Sequence, residues 1–334
     1  MQTRREQLPE LIGVLGAVLR EPTLAAVDLD EVRRQRLTAL QSQRNDPNAV
    51  GGNALDRLGN PYGPGDLRYT PTFEQSAQAL QAATIEQARD FHRRFYSAAV
   101  AEFAAVGDMN VDAVNQALAQ AFGDWRTPAA GALAFMRAPR PFITVPAQRL
   151  QLATPDKPNA YMRLIQPLPV AELHPDYAAL MVFNEIFSAG GGSRLWERMR
   201  EREGLSYGVN SAIQWNPYEA NSRFIVVGIF APQNLARMET ALREEIARAL
   251  KDGFAQEEFE RFRGGLLQER RLNRAQDAAL AGSLARNLQL QRTFAVSQQV
   301  DDALARLTVA EVNAAMRKYI DPAKWATAWA GDFK

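Results

Sequence analysis

The stretch that decides the fold is residues 190–208, which read GGGSRLWERMREREGLSYG. Its three glycines allow the backbone to turn, and Ser193 is a good N-cap for the strongly helix-forming residues that follow. Gly204 stands where a left-handed helix cap is expected, and the alternating residues after it predict a strand. The sequence therefore places Arg200 and Tyr207 close to one helix-to-strand corner.

The arginine and the tyrosine at this corner suggest two interpretations. Arg200 near a helix end and Tyr207 just past its cap can point into one volume, where a guanidinium and a phenol would bind a carbonyl or an oxyanion. The same spacing also fits a solvated helix face followed by a half-buried tyrosine. Spacing alone leaves both interpretations open.

The remaining residues of the stretch have plainer interpretations. The glycine loop lacks the lysine of a phosphate-binding loop and the glycine spacing of a dinucleotide site, so it is interpreted as a turn or hinge. Acidic and basic residues alternate along the helix, which predicts a ladder of exposed ion pairs. The loop residues are Gly190, Gly191, Gly192 and Ser193, and the charged residues are Arg194, Glu197, Arg198, Glu201, Arg202 and Glu203.

Composition narrows the class of protein. The 334 residues are 46% hydrophobic, with 39 basic and 38 acidic side chains and a net charge of +1. A chain of this length can form two domains, and its balanced charge argues against nucleic acid as the main partner. The absence of cysteine excludes disulfides, thiolate metal sites and cysteine nucleophiles. The chain has no apolar run long enough to predict a membrane span. Its first predicted helix, residues 8–20, is interpreted as an amphipathic helix that faces the core and not as a secretory signal.

Helix and strand signals indicate an α+β chain with two domains of one kind, each a mainly antiparallel sheet with helices packed on one face. The predicted first domain covers residues 1–125, and a Pro- and Gly-containing linker covers 126–141. The second domain covers residues 142–334. Strands are predicted near 98–106 in the first domain and near 142–153, 159–166, 205–216, 222–230 and 325–330 in the second.

An internal repeat supports the two-domain interpretation. LQAATIEQARDFHRRFYSAAVAEFAAVGD, from Leu80, matches LARLTVAEVNAAMRKYIDPAKWATAWAGD, from Leu304, without a gap, at an offset of 304 − 80 = 224. Upstream, residues 31–36 fall on residues 258–263 at an offset of 258 − 31 = 227. The four strands and the Gly190 helix of the second unit have no counterpart in the first. We therefore expect a first domain that is truncated at its N terminus, with an unpaired sheet edge that favours oligomerisation.

The same residues resemble a known family. GGGSRLWERMREREGLSYGV is similar to the GG-x-SRL-F-x-E-L-R-x-x-x-G-L-x-Y signature of the insulinase/pitrilysin zinc peptidases, the inverzincins, which include bacterial members and the mitochondrial processing peptidase. Residues 8–125 resemble the second half of that family's N-terminal domain, with N-P-Y-G at residues 60–63 where relatives often have H-P-Y-G. The resemblance implies that Arg200 and Tyr207 bind the substrate backbone opposite the zinc.

The chain departs from the family at the metal site, which requires H-x-x-E-H on one helix and a glutamate far downstream. Its only histidines, His92 and His174, are 82 residues apart, and Ala39 stands about where the downstream ligand belongs. His92 is interpreted as a helix-surface or packing residue and His174 as a loop residue. We therefore expect no metal and no catalytic residue in this chain, with zinc carried by a separate catalytic half.

Two functions follow from the resemblance. The first is the non-catalytic half of a zinc peptidase, inactive alone, which positions a peptide substrate through Arg200 and Tyr207 for a zinc-bearing H-x-x-E-H half in the same longer polypeptide or in a partner subunit. The second is a structural or assembly protein derived from the family. The compartment is undecided, and would be periplasmic if the native N terminus carries a signal peptide.

Overall fold

The structure is a computed structural model, and it describes residues 1–125 and 137–334. The contacts between residues divide the chain into two compact units, each built from separate segments. Unit 1 comprises Met1–Thr38, Ala77–Arg137 and Arg270–Val296, and unit 2 comprises Ala39–Ser76, Ala138–Glu269 and Ser297–Lys334. The domain boundaries drawn from the repeat stay a prediction, and residues 126–136 of the predicted linker lie outside the described residues.

Unit 2 contains one five-stranded sheet in the order β1-β5-β2-β4-β3. Strands β1 and β5 pair in parallel, whereas β5 with β2, β2 with β4 and β4 with β3 pair antiparallel. The expected mainly antiparallel sheet is therefore present. Its strands are β1 Gln148–Ala153, β2 Ala160–Leu168, β3 Ser206–Gln214, β4 Ser222–Phe230 and β5 Ala326–Gly331.

Helices account for most of the remaining described residues, and none of them is both long and apolar enough to cross a membrane. They are α1 Leu8–Arg20, α2 Ala26–Gln43, α3 Pro47–Arg57, α4 Phe73–Ala82, α5 Ile85–Phe95, α6 Val111–Phe122, α7 Tyr177–Ser188, α8 Arg194–Trp196, α9 Leu235–Asp252, α10 Gln256–Arg274, α11 Asp277–Gln289, α12 Ala295–Arg306 and α13 Val309–Tyr319.

The main core of unit 2 lies between one face of the sheet and helices α7, α9 and α13. Phe183 and Phe187 of α7 are fully buried beside Phe224 of β4, with the rings of Phe183 and Phe224 5.5 Å apart. The opposite face is covered by α3, whose Leu55 packs with Ile165 and Ala328. Helices thus cover both faces of the sheet, where the sequence predicted one.

The start of helix α3 coincides with the end of α2. Asn45-Asp46-Pro47 ends α2, but Pro47 is also the first residue of α3, where proline is well tolerated. The Asp46 carboxylate accepts a hydrogen bond from the Ala49 N–H at 2.8 Å and caps the new helix. The same three residues therefore end one helix and begin the next.

The internal repeat is confirmed in local structure. Helices α5 and α13 occupy equivalent positions at the offset of 224, and each begins with a capping box. In α5 the Thr84 N–H donates to the Gln87 side chain at 2.9 Å, and in α13 the Thr308 N–H donates to Glu311 at 2.8 Å. A three-residue 3-10 helix follows each of them, Ala98–Val100 in one and Pro322–Lys324 in the other.

The two repeats differ where the second one forms β5. The predicted strand at 98–106 is wrong: the equivalent residues 102–107 belong to no strand within the described part of the chain. A strand requires a hydrogen-bonded neighbour, and β5 has two, β1 and β2. Unit 1 contains no described strand that could take their place.

The upstream part of the repeat has a different offset from the predicted 227. Asn313 of α13 donates to the Phe254 carbonyl at 3.2 Å, and Arg89, its equivalent in α5, donates to the Leu24 carbonyl at 3.0 Å. These carbonyls are 254 − 24 = 230 residues apart. The upstream helices therefore align at an offset of 230, which is three residues, or about one helical turn, from the offset of 227 that their charged residues suggested. At the offset of 230, α1 is equivalent to α9.

Candidate functional site

The glycine loop that precedes α8 is stabilised by its own serine. Ser193 is fully buried and has the extended backbone of an N-cap residue, as predicted. Its hydroxyl, however, donates to the Gly190 carbonyl instead of capping a helix N–H. Arg261 donates to the Gly192 carbonyl at 3.3 Å. The loop is thus held in place from within and from α10.

The predicted helix after Ser193 changes its winding. One turn of α8 is followed by a π-helix, Glu197–Arg202, in which the Glu203 N–H donates to the Arg198 carbonyl at 3.1 Å. Gly204 then has a φ of +59°, so the predicted left-handed cap is confirmed. The Leu205 N–H reaches back to the Met199 carbonyl at 2.7 Å and closes the helix.

Tyr207 occupies a β-bulge at the start of β3. Ser206 pairs with Phe230 and Gly208 with Ile229, so Tyr207 is the extra residue on its strand. The Ser206 hydroxyl lies 2.8 Å from the carbonyl oxygens of both Gly208 and Ile229, and it accepts the Gly208 N–H at 3.1 Å. This bonding pins the bulge, and the Tyr207 side chain is left 64% exposed.

The structure brings Arg200 and Tyr207 together. The Arg200 guanidinium donates to the main-chain carbonyl of Tyr207, and its carbon lies 4.6 Å from the centroid of the Trp196 ring. The Trp196 Nε1–H is fixed in turn by Glu201 at 2.9 Å. Sequence reasoning did not single out Trp196, although an aromatic residue four positions before an arginine on a helix is a recognisable cation–π signal.

The predicted ladder of exposed ion pairs is only partly present. Arg202 and Glu197 form an exposed pair at 2.9 Å. Arg194 instead binds Glu258 of α10 at 2.7 Å, with both side chains only 18% exposed. Arg198 likewise reaches the fully buried Glu245 of α9 at 3.8 Å. The arginines on the inner side of this helix therefore dock it onto the rest of unit 2, which helical periodicity alone did not reveal.

The chemistry available at this corner is that of two polar groups on an anchored backbone. A phenol can donate one hydrogen bond, and the remaining N–H groups of the Arg200 guanidinium have no partner among the described residues. Both side chains are exposed. Both groups are therefore accessible to a ligand.

The histidines do not form a metal site. The His92 Nε2 atom lies 2.7 Å from the Leu19 carbonyl oxygen, and the centroid of the His92 ring lies 5.0 Å from that of the Tyr96 ring. His174 lies in the loop before α7, and its Nδ1 accepts the Asp176 N–H at 3.1 Å. Within residues 1–125 and 137–334, no three His, Asp or Glu side chains are grouped closely enough to hold a metal ion. The side chains of this described part of the chain do not fit a catalytic zinc.

Comparison with known proteins supplies the family. Residues 82–266, more than half of the chain, match the family described as "Peptidase M16 inactive domain". An uncharacterized zinc protease of Streptomyces coelicolor is 26% identical over 309 residues, which is 90% of this chain and 63% of that protein. The chain thus spans less than two thirds of the length of this curated relative.

Solved structures show the same fold. The peptidase M16 inactive domain from Pseudomonas fluorescens has a TM-score of 0.78 and 24% identity, over 96% of this chain and 74% of that one. A protease from Helicobacter pylori has a TM-score of 0.79 and 16% identity, over 98% of this chain and 77% of that one. Together with the family match, these findings confirm the resemblance seen in the sequence, and the chain belongs to the peptidase M16 family, in its inactive-domain group.

Proposed function

We propose that this chain is the non-catalytic, substrate-binding half of a zinc-dependent peptidase. The observation that carries the proposal is the geometry of the corner: Arg200 is bonded to the Tyr207 carbonyl, and the Tyr207 phenol extends from a pinned bulge. This bond holds the guanidinium beside the backbone of Tyr207, so the guanidinium and the exposed phenol are two hydrogen-bond donors at one corner. Membership of the inactive-domain group supports a role beside a catalytic half.

Peptide is the substrate that this pair suits best. A guanidinium and a phenol can both donate to a peptide carbonyl, and their hydrogen bonds strengthen as that oxygen becomes negative during hydrolysis. Because such bonds act mainly in the transition state, the pair contributes to turnover more than to substrate affinity. Zinc and the chemistry that it supplies would belong to the zinc-bearing half, since the described residues of this chain do not fit a metal.

The test uses the enzyme assembled with its zinc-bearing half. Tyr207→Phe removes only a hydroxyl, and Arg200→Lys removes the planar fork that an ammonium cannot reproduce. Losing one such donor costs about 3 kcal/mol, so we expect kcat to fall about a hundredfold while KM changes little.

Arg202→Lys and Tyr218→Phe are matched controls, because each makes the same chemical change at an exposed position of unit 2. Both should keep the unmodified kcat. If Tyr207→Phe and Arg200→Lys also assemble and cleave peptides at the unmodified rate, the pair is structural. The chain would then be better explained as an assembly protein derived from the family.

A further inference from the structure

Unit 1 contains an open groove with a volume of about 700 Å³. One wall is the apolar side of α1, formed by Leu8, Leu11, Ile12 and Leu15. The other includes residues 103–109, most of which belong to the extended segment that follows the 3-10 helix. The peptide groups of residues 102–107 have no ladder partner in the described chain, so this wall offers unused backbone donors and acceptors.

The repeat shows which elements of unit 2 cover α9, the helix equivalent to α1. At the offset of 230, Leu8, Leu11 and Ile12 correspond to Met238, Ala241 and Leu242 of α9. These three residues are at most 2% exposed. A Cβ atom built on Gly228 of β4 would lie 3.3 Å from the Met238 methyl carbon and 3.5 Å from that of Met162 in β2. Strands therefore cover α9, whereas in α1 Ile12 packs against Val114 and Ala117 of α6, and Leu8 and Leu11 are only partly buried beside the groove.

The extended segment of unit 1 is the equivalent of strand β5 in unit 2. Residues 102–107 correspond to β5, which lies between β1 in parallel and β2 in antiparallel pairing. The turn between those two strands is tied down at the end of β5, where the Asp332 carboxylate accepts the Asp156 N–H at 3.1 Å. The equivalent carboxylate in unit 1 is Asp108, which is 80% exposed and bonded to Arg5 at 2.9 Å.

Side-chain exposure distinguishes the two units at the same positions. Phe103 is 41% exposed, whereas its equivalent, Thr327, is 7% exposed. Tyr96 is 45% exposed, whereas Ile320 is 2% exposed. A large aromatic side chain is costly to leave in water, and Phe103 lies within the segment whose peptide groups are unused. The surface therefore has the apolar side chains and the backbone groups of a strand-binding site.

We propose that this groove binds a β-hairpin of the zinc-bearing half. One strand would pair in parallel and the other antiparallel with residues 102–107, their alternate apolar residues would contact α1, and a turn N–H would bind Asp108. The inference rests on the proposed function for the identity of the partner. The hairpin is inferred from β1 and β2, which make the equivalent contacts to β5 in unit 2.

The test uses the full chain and a synthetic peptide of residues 148–168 from this sequence. That peptide contains β1, β2 and their turn, which make the equivalent contacts to β5 in unit 2. Hydrogen exchange of the amides of residues 102–107 is measured with and without the peptide. We expect saturating peptide to slow their exchange at least roughly tenfold, because ladder formation protects backbone amides.

Two variants test the pairing itself. Ala104→Pro removes one N–H from the middle of the segment and should weaken peptide binding roughly tenfold or more. Glu102→Ala keeps every N–H and introduces the residue found at Ala326. This control should bind the peptide within about twofold of the unmodified chain, since its backbone donors are intact.

Unchanged exchange at saturating peptide would overturn the proposal. Protection that appears without peptide and grows with protein concentration would overturn it in another way, because a second copy of the chain would then occupy the groove. Different experimental outcomes would refute the docking proposal and the proposed function. Arg200→Lys should bind the peptide normally, and Ala104→Pro that assembles and cleaves normally with the zinc-bearing half would refute the docking alone.

Discussion

Glu185 of α7 should make the stability of unit 2 depend on pH in an unusual direction. Burial raises the pKa of this carboxyl to about 7, and the negative charge of Glu269 on α10 adds to the effect. In the unfolded chain the same group has its ordinary pKa of 4.5. Between these two values the folded protein keeps a proton that the unfolded chain has already released.

The sign and the size follow from this difference. Because the unfolded state binds fewer protons in that interval, the free energy of unfolding falls as pH rises from about 4.5 to about 7, and the loss is complete above it. At about 1.4 kcal/mol per pH unit, the two pKa values set an upper bound of about 3.5 kcal/mol. Water screens this partly exposed side chain, so we expect about 2 kcal/mol.

The perturbation is Glu185→Gln, which mimics the protonated carboxyl at every pH. Urea unfolding of the unmodified chain and the variant is compared at pH 5 and pH 8, monitored by tryptophan fluorescence. The variant should exceed the unmodified chain by only about 0.5 kcal/mol at pH 5 and by about 2 kcal/mol at pH 8. Glu257→Gln, at an exposed position at the start of α10, is the control and should reproduce the unmodified pH dependence. Equal pH dependence in Glu185→Gln and the unmodified chain would refute the reasoning.

Two further substitutions test the local structure. Gly204→Ala should cost about 1–2 kcal/mol in urea unfolding, because a side chain disfavours the left-handed backbone. Gly191→Ala is the control, because no atom lies within 4 Å of an added Cβ at either glycine and φ is positive only at Gly204. The two variants therefore differ in backbone strain and not in side-chain contacts. An equal loss of stability in both would contradict the prediction. Thr308→Ala removes the capping box of α13 and should cost about 1 kcal/mol. Thr308→Ser keeps the hydroxyl and should recover most of that loss, and a Thr308→Ala variant as stable as the unmodified chain would show that the cap contributes nothing.

Local signals were enough for the features that depend on neighbouring residues in the sequence. The capping boxes of α5 and α13 follow from Thr84 and Thr308 with their partners three residues later. The left-handed cap at Gly204 follows from the end of a helix-forming run. The family resemblance followed from the residue types of the Gly190 stretch, which need no knowledge of the fold. All of these are settled within a few residues.

Features that depend on distant partners could not be predicted in the same way. The repeat residues 102–107 and β5 have similar sequences, yet only β5 is a strand, because β1 and β2 lie beside it. The bulge at Tyr207 requires β4 as its partner. The docking of α8 through Arg194 requires α10, 64 residues away in sequence.

The sequence by itself determined most of the helices, the left-handed cap at Gly204, the repeat of α5 and α13, and the family of this protein. Only the tertiary structure decided which extended segments became strands, which charges were drawn inward, and that Arg200 meets the backbone of Tyr207. The physical reason is that helix hydrogen bonds join residues four apart, so their partners are set locally. Strand pairing and the burial of charged groups depend on partners that the fold alone brings together.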